Sequence, residues 1–166
     1  MDMQKYKQSF IEASETGSRV LILKAGDQCD CFNTKDLLNS EPNPKCGKCF
    51  GTGNKRTLIY TTKIRHDSDS NGSTKHYESL DLNRSINDFR CFFMPEAYKD
   101  VNTMDLIATL NDDEISINSI YKVVNKEKFQ ANDFVFYEIV GERINYTSEV
   151  SIDDRWTRKE NRRIKK

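Results

Sequence analysis

Hydrophobic and polar positions fall into three regimes along the 166-residue chain. In the first, Met3, Tyr6, Phe10 and Ala13 recur at steps of three and four. That spacing predicts a helix over residues 2–16 with one apolar face, and Gly17 reads as its stop. A helix this short is marginal alone. Its apolar face, with Tyr6 and Phe10 as contact residues, must rest on the chain's own core or on a neighbouring subunit. Arg19 to Ala25 then reads as a strand.

From residue 56 the pattern becomes one of strands. Leu58 to Arg65 places Leu58, Tyr60, Thr62 and Ile64 on alternate positions, the period of a half-buried strand. Asp67 to Thr74 is a polar turn centred on Asn71-Gly72, a strong hairpin signal, with Lys75 to Leu82 as the returning strand. His66 and His76 flank this turn and read as exposed hairpin residues, His66 opposite Tyr77. Phe89 to Met94 is apolar on both faces and predicts a buried strand stopped by Pro95. Asp105 to Leu110, Glu114 to Ile117 and Ile120 to Lys126 are short apolar bursts. Phe134 to Val140 is the strongest strand, preceded by a hairpin loop over Lys128 to Asp133. Six or seven closely spaced strands predict a mainly β fold, a small antiparallel β-barrel or sandwich carrying an N-terminal helix.

Residues 26–55 interrupt this pattern. The window lacks periodic hydrophobicity but holds four of the five Cys, four of the seven Gly and two of the three Pro. About 30 residues without secondary structure are unusual inside a compact domain unless something pins them. The expected organisation is a helix over 1–18, a β-barrel domain over 19–144 with the 26–55 insertion, and a C-terminal arm over 145–166.

The pin is legible in the cysteines. Cys29-Asp-Cys31 is followed after fourteen residues by Cys46-Gly-Lys-Cys49-Phe-Gly51-Thr-Gly53. Two close thiol pairs separated by a loop can supply the four corners of a tetrahedral site, so Cys29, Cys31, Cys46 and Cys49 are the candidate ligands of one structural Zn²⁺ per chain. Another metal, free thiols and disulfides are the alternatives. The single residue inside the first pair departs from the usual two. Such a site is closed, with no open position for catalysis. Cys91 lies in the apolar strand and reads as a small core residue.

Composition and charge narrow the picture. Leu, Ile, Val and Phe number 38, about 23% of the chain, enough for a core but a thin one. A thin core favours reinforcement by a metal or by neighbours. No stretch approaches the roughly 18 apolar residues of a membrane span, so no membrane partner is expected. The first residues do not read as a secretory signal, which favours a reducing compartment and argues against a disulfide framework. No phosphate loop, nucleophile elbow or Ser-His-Asp arrangement is readable, so the chain reads as a non-enzyme. The net charge is zero, but residues 153–166 carry seven Arg or Lys against three acids. This basic tail reads either as a solvated end or as an arm anchored by Trp156, with Arg158, Arg162 and Arg163 facing an acidic neighbour.

Two segments carry a resemblance. Cys29 to Thr34, running through Pro44-Lys-Cys46-Gly-Lys-Cys49-Phe-Gly51-Thr-Gly53, resembles the zinc-loop segment of virion structural proteins from tailed bacteriophages. Residues 46–53 also resemble part of the zinc repeat of J-domain chaperones, whose further repeats are absent here. Asp105-Leu-Ile107, Ile120 to Val124 and Phe134 to Arg143 are similar to the closing strands of small β-barrel phage proteins at the head–tail junction. The resemblance covers about half the chain. It implies a virion subunit at the neck, assembled in the host cytoplasm as a homo-oligomeric ring between portal and tail. Such a ring would contact other virion proteins on both sides and make passing contact with DNA in the channel. A tail-completion or baseplate position, and a zinc-stabilised nucleic-acid-binding module, are the alternative readings.

Overall fold

The computed structural model describes residues 3–31, 41–67, 89–114, 116–131 and 133–144. The Asn71-Gly72 hairpin, His76, and the basic arm with Trp156, Arg158, Arg162 and Arg163 lie outside them, as does the side chain of Tyr6. Contacts divide the chain into two units. One comprises Met1–Lys24 with Leu58–Ile144, and the described part of the other lies within Ala25–Thr57.

The elements are a helix α1 (Met3–Glu15) and strands β1 (Val20–Gln28), β2 (Asn54–Tyr60), β3 (Arg65–Asp67), β4 (Phe89–Pro95), β5 (Leu106–Leu110), β6 (Ile117–Ala131) and β7 (Phe134–Arg143), with a 3-10 turn at Glu96–Tyr98. The fold is mainly β. The strands form one seven-stranded sheet in the order β2-β1-β5-β6-β7-β4-β3, and the registered pairings are antiparallel.

Residues 58–65, expected as one strand, are split in two. Thr61 is the cause. It is buried, its hydroxyl accepts the Val20 N–H at 3.1 Å, and its own N–H donates to Val20 O at 3.1 Å. The chain therefore leaves β2 at one sheet edge and enters β3 at the other within the few residues 61–64. Flat seven-stranded sheets hold their edges about 29 Å apart, whereas this link spans at most about 17 Å. The sheet must curl. Among the described residues one isolated bridge, Ser18 just before β1 with Ile64 just before β3, joins the two ends of the sheet, so the barrel is not closed by a continuous ladder.

Curling buries one residue in two along the strands. Val20 and Ile22, Phe92 and Met94, Ile107, Tyr121 and Val123, Tyr137 and Ile139, with Ile64 and Val101, form a single core cluster. Gly141 completes it sterically, since a Cβ there would lie 2.7 Å from Tyr121 Cβ and 3.1 Å from the Phe92 ring. The opposite alternation is also buried at Leu21, Leu23, Leu106, Ala108, Ile120 and Val140. Phe10 of α1 packs on Phe134 and Phe136, with ring centroids 5.1 and 4.7 Å away. Gly17 ends the helix through close approach and not through a left-handed backbone. A Cβ there would meet Ile64 O at 2.1 Å.

β6 is one continuous strand where the pattern predicts two apolar bursts, and residues 128–131, expected as loop, belong to it. A bulge between Val123 and Asn125 shifts the alternation by one residue, which hides the strand's period. Below the core, Asp105 is 1% exposed and accepts from Lys24 Nζ at 2.5 Å and from the Asn102 N–H at 2.9 Å. Lys126 donates to the carbonyls of Lys99 and Val101 and lies 4.4 Å over the Tyr137 ring. Burial lowers its pKa. These two lysines fasten the 99–105 loop.

Candidate metal centre

The second unit is built around its thiols. The end of β1 and the start of β2 run side by side, Cys29 N–H donating to Gly53 O at 2.7 Å and Asn54 Nδ2 to Gly26 O at 3.1 Å. This places Cys29 and Cys31 beside the turn that carries Cys46 and Cys49. Asn43 starts that turn, accepting the Lys45 N–H on its side chain at 2.9 Å and the Cys46 N–H on its carbonyl at 3.0 Å. Phe50 N–H then donates to Cys46 O and Thr52 N–H to Cys49 O.

The chain after Cys49 passes through left-handed backbone at Phe50 (φ 54°) and Gly51 (φ 73°). A Cβ on Gly51 would also press on Pro44 Cα and O at 3.1 Å. Phe50 has no such exemption. Left-handed geometry costs a non-glycine residue roughly 1–2 kcal/mol, offset here by burial of its ring to 6% exposure.

The result is a cluster in which all four Sγ atoms lie within 4.8 Å of one another. Cys29 Sγ is 3.7 Å from Cys46 Sγ, and Cys31 Sγ is 3.5 Å from Cys49 Sγ. A disulfide needs about 2.05 Å. Four sulfurs at about 2.3 Å from one tetrahedral Zn²⁺ stand about 3.8 Å apart. These two separations stand near that edge length, all four sulfurs lie inside 4.8 Å, and none of the four cysteines is in a disulfide. The described residues therefore fit a metal ion held by four thiolates.

The electrostatics favour thiolate at one corner first. Burial acts to raise the Cys46 pKa, but backbone N–H groups of Lys48 and Cys49 aim at its sulfur and bring it down to about 7. Burial and the Cys49 thiol push Cys31 up to about 12, against a lowering N–H from Asn43. Burial likewise raises Cys49, against the Gly53 N–H. These amides are the ones that would stabilise sulfur charge around a metal. Arg56 is buried and reaches Thr52 Oγ1 at 2.6 Å, placing a cation in the same unit. On the surface Lys55 pairs with Asp30 at 3.0 Å and holds its carboxyl below the usual range.

All four metal candidates are thus brought together. The amide donors and Arg56 are not singled out by the sequence pattern, although Cys-x-x-Cys spacing itself places the amides of the third and fourth residues on the first sulfur. Among the interaction candidates, Phe10 is engaged by its own chain's β7. His66 is half-buried and not an exposed hairpin residue. It sits opposite Phe92 on β4, with Arg90 Nη1 3.1 Å from its Nδ1. Cys91 is fully buried and donates to Glu138 Oε1 at 3.3 Å. No protein-family model matches the chain, and comparison with curated proteins gives no match.

Proposed function

We propose that the chain is a zinc-stabilised structural subunit of a tailed-phage virion, acting at the head–tail junction as a ring-forming assembly protein. The observation that carries the structural half of this reading is the four-thiol cluster. Four thiols within 4.8 Å of one another would supply every corner of a tetrahedral site and leave a bound ion no position for substrate or water. All-thiolate tetrahedral sites select zinc or iron–sulfur centres, and zinc is the redox-inert choice for fastening a loop. The virion assignment rests on the resemblance of residues 29–53 and of the β5, β6 and β7 segments, which here are consecutive neighbours in one sheet.

Native mass spectrometry of the full chain, with and without a portal ring, tests the reading together with a salt-dependent DNA titration. Ring-sized oligomers or capture by the portal, without DNA affinity, are expected. A monomer that binds DNA with a steep salt dependence would instead make the chain a zinc-stabilised nucleic-acid module. Metal analysis of the same sample should give one zinc per chain.

A further inference from the structure

β6 outruns its neighbour. β5 pairs with it only as far as Lys122, and the last backbone bond on that side runs from Val123 N–H to Asp105 O at 3.2 Å. On its other side β7 pairs with it as far as Ala131. From residue 124 to 131, β6 therefore has an edge with no backbone partner among the described residues. Glu127, Lys128, Phe129 and Gln130 are all exposed, Phe129 at 37% despite its ring stacking on Phe136 at 5.0 Å. An unpaired edge is a template for strand addition.

The register fixes which groups it offers. Val123 N–H points to the β5 side, while Ile120 O, on the β7 side, accepts from Ile144 N–H at 2.9 Å. Odd residues thus face β5 before the bulge and even residues face β7. The extra residue at the bulge reverses this, so beyond it Lys126, Lys128 and Gln130 direct their N–H and C=O groups outward. The side chain of Lys126 is bound over the Lys99 and Val101 carbonyls, next to the near end of the edge. The exposed stretch is 127–130.

We propose that this edge pairs antiparallel with the same edge of a second copy, about a dyad at Phe129. Charge disfavours two of the registers, and burial of the exposed Phe129 ring favours a third. A dyad at Glu127 sets Glu127 against itself, and one at Lys128 sets Lys128 against itself, and like charges directly opposite are destabilising. A dyad at Phe129 sets Lys128 opposite Gln130 and Glu127 opposite Ala131, and it covers the exposed ring with its counterpart. Lys128 and Gln130 then exchange backbone hydrogen bonds across the dyad, and neither β6–β7 ladder is disturbed. The contact is far smaller than a standard stable interface, so dimers form only in the micromolar-to-millimolar range. The inference is independent of the virion assignment, since a dyad pair is a state of the free chain.

Sedimentation of the full chain over a concentration series, with hydrogen exchange on the same samples, tests it. The expected result is a concentration-dependent twofold association, of monomer into dimer or of ring into ring pair, in which the Lys128 and Gln130 amides are protected at high concentration and exposed on dilution. Lys128→Pro removes one outward N–H, at a position where an edge strand tolerates proline, and should weaken dimerisation by about tenfold or more. Lys128→Ala, which keeps the backbone donor, should dimerise like the natural chain. A chain that stays monomeric to its solubility limit would overturn the proposal, as would Lys128→Pro dimers of unchanged affinity. Should that variant not fold, concentration-independent exchange at Lys128 and Gln130 in the natural chain would overturn it equally.

Discussion

The sheet and the cysteine loop hold their shapes by opposite means. In the sheet, stabilisation is distributed. Eleven buried side chains from strands and links form one cluster, and each can be weakened without deleting the rest. In the loop the described residues offer instead four sulfurs within 4.8 Å of one another and one large buried apolar side chain, Phe50. A chain only 36% hydrophobic can build one region from core, whereas about 30 residues of loop need a different agent. The difference predicts two separable failures.

The largest effect should come from the metal. Structural zinc binding is worth roughly 10–16 kcal/mol in isolated zinc-finger peptides. Chelation, or Cys46→Ser, should therefore open residues 41–57 to protease while β4 to β7 stay protected, read by limited proteolysis and mass mapping. Acid should act in the same direction. Cys31, at about 12, is protonated throughout the neutral range and must lose its proton to any metal. Cys46, at about 7, costs an additional proton only below that pH. Metal affinity should thus fall as pH falls, and fall more steeply below about 7, which a competition titration against a chromophoric chelator measures.

The mirror-image lesion comes next. Phe92 is fully buried between the Tyr121 and His66 rings, at 5.6 and 5.7 Å. Phe92→Ala should cost about 3–5 kcal/mol in chemical denaturation while the folded variant retains its full metal content. Metal loss from Phe92→Ala in the absence of denaturant would show that the two regions are not separable.

How far the two regions are legible in the sequence differs for the same reason. The four thiols are local in type and spacing, so the metal candidates can be named from the sequence without the fold. The strands at 20–28, 89–95 and 134–143 are legible because their apolar runs are long. β6 does not read as one strand because the bulge at Val123–Asn125 breaks its alternation and Asn125-Lys126-Glu127-Lys128 looks like a loop. The break at 61–64 is invisible, because it depends on Thr61 finding Val20, 41 residues earlier. The Lys24–Asp105 pair is longer-range still, its members 81 positions apart.

A smaller, matched pair of substitutions sharpens the contrast. Gly141→Ala drives a methyl to 2.7 Å from Tyr121 Cβ and should cost about 1–3 kcal/mol of sheet stability by overpacking. Gly51→Ala adds a left-handed penalty of roughly 1–2 kcal/mol and a 3.1 Å contact with Pro44. It should lower metal affinity and leave the sheet's denaturation midpoint unchanged. Smallest of all, Arg19→Ala removes an exposed 3.8 Å pair with Glu114 and should change stability by less than about 0.5 kcal/mol.

The most direct test is hydrogen exchange on the purified full chain before and after chelation, with metal content determined in parallel. One metal ion per chain is expected, and its removal should abolish protection across residues 41–57 while β4 to β7 exchange as before. A metal-free chain whose cysteine loop is nevertheless protected, or a sheet that loses protection together with the loop, would contradict the account.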